Sequence, residues 1–216
     1  MSEAIASKPD LLTRLNSRAR WEATRLRDAW GDLGLGIDAS WERAPGLAVQ
    51  YQERCRYEGI PYAALRMIAQ HLDFGADDTV IDIGCGKGRA TCWFATLPIR
   101  KSIGLDFDPE LTRQAKRNVE TMRGRRADIE IRTGDAMTAD YRGISAFFLY
   151  NPFGPDIMRE VMGRIERDRT GSPIRIVYGH PLYADVLDAQ SWLKRGETFA
   201  IPHLMHKIRA TVWTSR

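Results

Sequence analysis

Cysteine is scarce in this chain. The three present, Cys55, Cys85 and Cys92, are too few and too irregularly placed for a disulfide framework or a zinc site, and no metal is expected. Histidine is nearly as rare, with four residues, so few side chains can move a proton near neutral pH. The charge surplus is small: a formal net charge of +4 permits an acidic or nucleic-acid partner without demanding one. No apolar run reaches the length of a membrane span, and the N-terminus has no apolar signal core. Glu3 and Asp10 dilute the basic character that a transit peptide needs. A soluble, cytoplasmic protein with no membrane partner is therefore expected. Internal repeats and low-complexity segments are also missing.

What is there is ordinary globular material. With 216 residues, 44% hydrophobic and 28% charged, the chain is long enough for one well-packed domain with an appendage. The stretch Thr79–Ala90 (TVIDIGCGKGRA) organises it. Val80, Ile81 and Ile83 flank Asp82 in a strand pattern, Gly84, Gly86 and Gly88 follow at alternate positions, and a helix-compatible run with Phe94 and Ala95 comes next. Glycine permits positive φ and lets a backbone approach a ligand closely. A helix start adds unpaired N–H groups. Such a turn suits an anionic or polar group of a nucleotide-like cofactor. Cys85 within it reads as a small packed side chain, not a reactive thiol.

The chain before this stretch is helical. Residues 1–10 read as disordered. Leu11, Leu15, Ala19, Leu26 and Trp30 recur at helical spacing, and Arg14, Arg18, Arg20, Arg25 and Arg27 decorate the same segment as a solvated face or a cap for an acidic substrate. Gly31, Gly34 and Gly36 are expected to end that helix in a loop. A second helix is expected over residues 46–57. A third runs from Tyr62 to Leu72, with Pro61 at its start and Leu65, Ile68, Ala69 and Leu72 on one face.

After Thr79 strands and helices alternate. Strands are expected at 101–106, 129–132, 144–150 and 174–178. Helices are expected from Asp108-Pro109 to Gly124, from Pro155 to Arg167, and over 181–187. Two closing strands, 193–200 and 206–214, read as an antiparallel pair. Alternation of this kind gives an α/β fold: a doubly wound, mostly parallel sheet with helices on both faces, and a helical N-terminal extension. Residues 1–60 form the extension or lid and 61–216 the main domain. Ligands of such sheets bind beyond the carboxyl ends of the strands. That selects Gly84–Gly88, Asp106, Gly134-Asp135, Asn151–Phe153 and Gly179-His180.

Glycine spacing discriminates between cofactors. A dinucleotide turn wants G-x-G-x-x-G, but Arg89 holds the place of the third glycine and Gly88 comes one residue early. The phosphate-loop pattern fails because Gly88 follows Lys87 where a hydroxyl is needed. A carboxylate just before the turn is awkward for pyrophosphate and suits a cofactor with a positive amino group. Asp-x-Gly-x-Gly-x-Gly after a strand thus points to S-adenosylmethionine.

From Tyr62 onward the chain resembles the class I (Rossmann-like, seven-stranded) S-adenosylmethionine-dependent methyltransferases. The match is carried by Asp82-Ile83-Gly84-Cys85-Gly86-Lys87-Gly88. The resemblance implies that Asp82 and the backbone of Gly84, Cys85, Gly86 and Gly88 hold the methionine end of the cofactor. It implies that Asp106 binds the ribose hydroxyls, that Phe107 lies along the adenine, and that Asp135 and Ala136 meet the adenine amine. Lys87 and Arg89 are either solvated or in contact with the cofactor carboxylate or substrate. Tyr62 is a candidate cover for the cofactor. The first motif, with its Lys87, is also similar to that of the non-SET histone-lysine methyltransferases.

Tyr150-Asn151-Pro152-Phe153-Gly154 ends the fourth strand. Amino-directed methyltransferases carry Asn or Asp, Pro, Pro and an aromatic there. This chain has one proline, and its aromatic comes one residue early, which argues against adenine or glutamine targets. Asn151, Pro152 and Phe153 are still expected at the acceptor site, with Asn151 offering an amide oxygen and Phe153 a ring; a simple turn is the alternative. His180, just past the fifth strand, is the candidate base if the acceptor is an ammonium; His71, His203 and His206 are expected away from the site. The resulting expectation is methyl transfer to an unidentified acceptor, with an amine of a protein or small molecule as the candidate and nucleic acid also open. A nicotinamide-dependent oxidoreductase and a non-catalytic binding module with this fold are the alternatives.

Overall fold

The computed structural model describes residues 11–40, 59–202 and 208–216. The expectations for residues 1–10, for the helix at 46–57 and for His203 and His206 lie outside them. The elements in order are α1 (Leu11–Leu35), α2 (Tyr62–Leu72), β1 (Thr79–Ile83), α3 (Arg89–Phe94), β2 (Lys101–Asp106), α4 (Pro109–Thr121), β3 (Asp128–Thr133), β4 (Ala146–Tyr150), α5 (Pro155–Arg169), β5 (Arg175–Gly179), α6 (Ala184–Asp188), β6 (Leu193–Ile201) and β7 (Ile208–Ser215).

The strands form one 7-stranded sheet in the order β3-β2-β1-β4-β5-β7-β6. Pairings from β3 through β5 are parallel, and β7 joins β5 and β6 antiparallel. Strand β1 is buried along its whole length, as a central parallel strand covered on both faces must be. Alternate residues serve opposite faces. Ile81, Ile83, Phe147 and Leu149 pack with α5 and α6 through Met158, Val161, Met162, Ile165 and Leu187. Val80, Ala146 and Phe148 pack on the other side with Leu65, Ile68 and Phe94. Sheet order reverses between β1 and β4, which makes the crevice there the topological switch point.

Local signals position the ends. The Asp108 carboxylate accepts from the N–H groups of Glu110 and Leu111 at the start of α4, with Pro109 in the first helical position. No side chain caps α5: Gly154 is extended, and Pro155, which has no N–H to satisfy, takes the first helical position.

The N-terminal helix corrects two expectations. It runs through Gly31 and Gly34 to Leu35, and the chain turns off only at Gly36, where φ is +72°. Gly31 is no helix breaker: it faces the Tyr62 ring, and a Cβ there would stand 2.3 Å from Cε2. The inward face also differs. Leu26 and Trp30 are 62% and 71% exposed, whereas Asp28 and Asp32 are 1% and 6% exposed. This helix docks by an acidic face, because its partner is the buried guanidinium of Arg89.

Candidate functional site

Strand β1 delivers the chain into a loop built from left-handed glycines: φ is +82° at Gly84, +54° at Gly86 and +81° at Gly88. The N–H groups of Gly84 and Cys85 both donate to the Leu105 carbonyl, at 2.8 and 3.0 Å, which pins the loop to the end of β2. At Gly86 the N–H donates to Asp106 Oδ2 at 2.8 Å, and the Asp108 N–H donates to Asp106 Oδ1 at 3.0 Å. Each carboxylate oxygen can accept twice. The two backbone bonds therefore leave Asp106 with acceptor capacity for a pair of hydroxyls, as a ribose requires. Burial pushes its carboxyl above the usual range, opposed by these two bonds.

Asp82 is buried under the loop, where Thr91 Oγ1 donates to its Oδ2 at 2.8 Å. Burial, with Asp106 nearby, pushes its pKa up to about 7. An ammonium brought close would restore the charged form. The residues present thus fit S-adenosylmethionine: a left-handed cradle whose crowded glycines exclude side chains, and two carboxylates placed for its positive and hydroxylated parts.

Cys85 is buried and its thiol is pushed well above the ordinary value by burial, which suits a packing role. Phe107 is exposed beside Asp106. The Asp135 carboxylate accepts from the Met137 N–H at 2.9 Å, and the Ala136 carbonyl accepts from the Tyr141 hydroxyl at 2.7 Å. The Gly134 N–H donates to the Asp106 carbonyl at 2.9 Å, so the Gly134-Asp135-Ala136 turn stands beside Asp106.

The β4 motif meets the glycine loop directly. A Cβ on Gly84 would lie 2.7 Å from Cβ of Pro152. Asn151 and His180 follow the paired residues Tyr150 and Gly179 at neighbouring strand tips. Both have left-handed backbones, φ +47° and +53°, conformations that cost non-glycine residues energy and often mark functional sites. The Tyr178 hydroxyl donates to Asn151 Oδ1 at 3.1 Å, and the His180 N–H donates to the Arg209 carbonyl at 2.8 Å. Phe153 departs from expectation. It is buried in the core with Met158, so its ring supports the motif from beneath instead of offering an open stacking face. His71 pairs with Glu197 and stacks on Phe199.

Three other basic or aromatic candidates point elsewhere. Arg89 is buried, its Nε and Nη2 donating to Asp32 Oδ1 and Oδ2 at 3.0 and 2.7 Å. Lys87 Nζ donates to the Ser40 carbonyl at 2.8 Å. The Tyr62 hydroxyl donates to Asp32 Oδ1 at 2.7 Å under α1. These side chains tie the extension to the domain. Sequence reasoning missed Asp28, Asp32 and Asn118, the last reaching from α4 to the Lys87 carbonyl at 2.8 Å. The acidic pair at helical spacing on an otherwise arginine-rich helix was the one available signal.

Among the described residues no group of His, Cys, Asp and Glu could hold a metal ion, and no helix is long and apolar enough to cross a membrane.

Comparison with known proteins agrees with this geometry. Residues 80–165 match a family model described as a methyltransferase domain. An uncharacterized protein of Methanocaldococcus jannaschii is 30% identical over 95 residues, covering 42% of this chain; the chain spans about 40% of the length of that curated relative. A crystal structure of an RNA methyltransferase from Salinibacter ruber in complex with S-adenosyl-L-homocysteine is similar in fold, with TM-score 0.56 and 20% identity over 73% of this chain and 94% of that one. The precorrin 8w decarboxylase of Methanobacterium thermoautotrophicum superposes with TM-score 0.55 and 17% identity, over 74% of this chain and 93% of that one. At such identities these likenesses speak for the fold alone. Residues 80–165 thus match the methyltransferase-domain family, and the 7-stranded sheet that carries them shares its fold with these solved structures.

Proposed function

We propose that the protein transfers a methyl group from S-adenosylmethionine to an amine of a protein or small molecule bound at the tips of β4 and β5. The observation that carries this reading is the contact of Gly84 with Pro152, which sets the cofactor loop against the Asn151 motif. Neighbours of the same fold are described as acting on RNA and on a precorrin, so fold likeness does not choose the acceptor.

When bound, the cofactor supplies a methyl group already activated by its sulfonium. The chain's task is alignment. Gly84, Gly86 and Gly88 bring the backbone close; Asp82 faces the amino end, and Asp106 receives the ribose hydroxyls. Phe107 and the Asp135-Ala136 turn border the adenine position. Asn151 orients the acceptor nitrogen through its amide, which the Tyr178 hydroxyl holds in place. His180 takes the proton if the acceptor arrives as an ammonium.

The test is calorimetry with S-adenosylmethionine and S-adenosylhomocysteine, followed by transfer of labelled methyl from the cofactor into fractionated cell extract. Wild type should bind both ligands, Asp106→Ala should lose affinity, and label should appear in an amine-bearing fraction. Unchanged affinity in Asp106→Ala would sink the cofactor reading, and label confined to nucleic acid would sink the amine reading.

A further inference from the structure

The far half of the glycine loop is held both by α4 and by the segment that follows α1. Asn118, buried on α4, uses its amide in full. Its Nδ2 donates to the Lys87 carbonyl at 2.8 Å and to the Asp38 carbonyl at 3.0 Å. Its Oδ1 accepts from the Asp38 N–H at 2.9 Å and from Gln114 Nε2 at 3.2 Å. Backbone partners of both kinds fix the amide's orientation: flipped, its NH₂ would face the Asp38 N–H and its oxygen two carbonyls. One side chain thus stitches together the glycine loop, the irregular stretch after α1, and α4.

Two further ties act on the neighbouring residues. Lys87 Nζ reaches the Ser40 carbonyl at 2.8 Å. Arg89, the first residue of α3, grips Asp32 with two donors and also donates from Nη2 to the Ala39 carbonyl at 3.0 Å. Between them Gly88 is left-handed, with Ala115 Cβ 3.1 Å from where its own Cβ would be, so the loop has little room to move towards α4. The side chains of Lys87 and Arg89 therefore bind the segment 32–40 directly, and the Lys87 carbonyl is linked to it through Asn118.

We propose that segment 32–40 of the N-terminal extension is a working part of the cofactor loop. Asn118 and Arg89 are its positioning residues, and affinity for the cofactor depends on this docking. The inference rests on the S-adenosylmethionine reading of the loop. Its physical basis is pre-organisation: Gly86 must present its N–H to Asp106 while Gly84 and Gly88 keep left-handed backbones, and a loop freed at Lys87 and Arg89 pays that ordering on binding. Coupling of this kind is reciprocal, so a bound cofactor must in turn stabilise the docked segment.

Calorimetry with S-adenosylhomocysteine on full-length Asn118→Asp, Arg89→Lys and Ser145→Ala tests it. Asn118→Asp keeps size and the bond from the Asp38 N–H but removes both donors. Ser145→Ala removes the bond that Ser145 Oγ donates to Asp78 and the one it accepts from the Thr79 N–H, at the opposite end of β1 from the loop, and serves as the control. Expected is a Kd raised about tenfold or more by Asn118→Asp and Arg89→Lys, the loss of a well-made buried hydrogen bond, with Ser145→Ala within about twofold. Amide exchange of the wild type, with and without the same ligand, should show added protection across residues 32–40; this arm needs no variant to fold. Wild-type affinity in the two loop variants, losses in all three that track their melting temperatures, or exchange unchanged in 32–40 overturns the proposal. Failure of the wild type to bind at all would instead overturn the cofactor reading.

Discussion

Gly84 and Pro152 are in contact across the switch point of the sheet: a Cβ added to the glycine would stand 2.7 Å from the Cβ of the proline. One residue belongs to the glycine loop after β1 and the other to the Asn151-Pro152-Phe153 motif after β4. Gly84 also has φ +82°, so both its backbone and its surroundings demand glycine.

Gly84→Ala is therefore expected to strain the loop by about 1–2 kcal/mol through the left-handed backbone alone, with a clash added. Because Pro152 would be pushed aside, both functions should suffer: lower cofactor affinity by calorimetry and lower methyl transfer. A melting temperature and affinity equal to wild type would show that the contact is not maintained.

Asp82 makes stability depend on pH. Its pKa is pushed up to about 7 in the folded chain, chiefly by burial, whereas an unfolded aspartate titrates near ~3.9. With a raised folded pKa, the contribution is fully present below pH ~4 and is lost as pH rises through about 7. At roughly 1.4 kcal/mol per unit, the loss is of the order of 4 kcal/mol. Melting of the cofactor-free protein from pH 4 to 8 should show this decline, and Asp82→Asn should lessen it, with the raised Asp106 leaving a residual slope of the same sign. A wild-type profile as flat as that of Asp82→Asn would rule the effect out.

The buried pair of Arg89 and Asp32 carries a third expectation. Asp32→Ala leaves a guanidinium in the interior without its main partner, and breaking a buried pair this way costs about 3–5 kcal/mol. On the opposite, exposed face of α1, Leu26→Ser and Trp30→Ser should change stability by no more than about 0.5 kcal/mol. Denaturant melts of the three variants decide which face of the helix is packed; the reverse ranking would overturn the docking described.

This contrast shows where sequence reading succeeded and where it could not. The Asp108-Pro109 helix start is set by contacts within a few residues, while β1, the glycine loop and the alternation of strands and helices left a local mark in residue type and spacing even though their partners lie on other strands. Helix α1 misled because hydropathy assumes that apolar side chains face inward, while here the interior partner is a cation and the packed face is Asp28 and Asp32. Gly31 looked like punctuation but is a clearance for the Tyr62 ring from another helix. Asn118 had no signal at all, since its role is defined by Asp38, 80 positions away. At the site, Asp82 within β1 and Asp106 at the end of β2 are legible through their spacing to the glycines; the burial of Phe153 is not, because an aromatic after Asn-Pro reads the same whether it points into the core or out of it.

The last prediction separates acceptor chemistry from cofactor binding. Asn151 adopts φ +47° at the tip of β4, and the hydroxyl of Tyr178 donates to its amide at 3.1 Å. Holding a non-glycine residue there costs energy, of the order of 1 kcal/mol or more, that a mere turn could avoid by carrying glycine. If the amide orients the acceptor, Asn151→Ala should lower turnover at least about tenfold while leaving the Kd for S-adenosylhomocysteine within about twofold. Tyr178→Phe, which keeps the ring in the core and removes only the hydroxyl, should lower turnover less and likewise spare the Kd. Asn151→Gly, by contrast, relieves the strained backbone but lacks the amide, so it should be at least as stable as wild type and as inactive as Asn151→Ala. Measured together on the labelled-methyl assay, retained turnover in Asn151→Gly would assign Asn151 to the turn, and lost cofactor affinity in Asn151→Ala would move it to the cofactor side of the site.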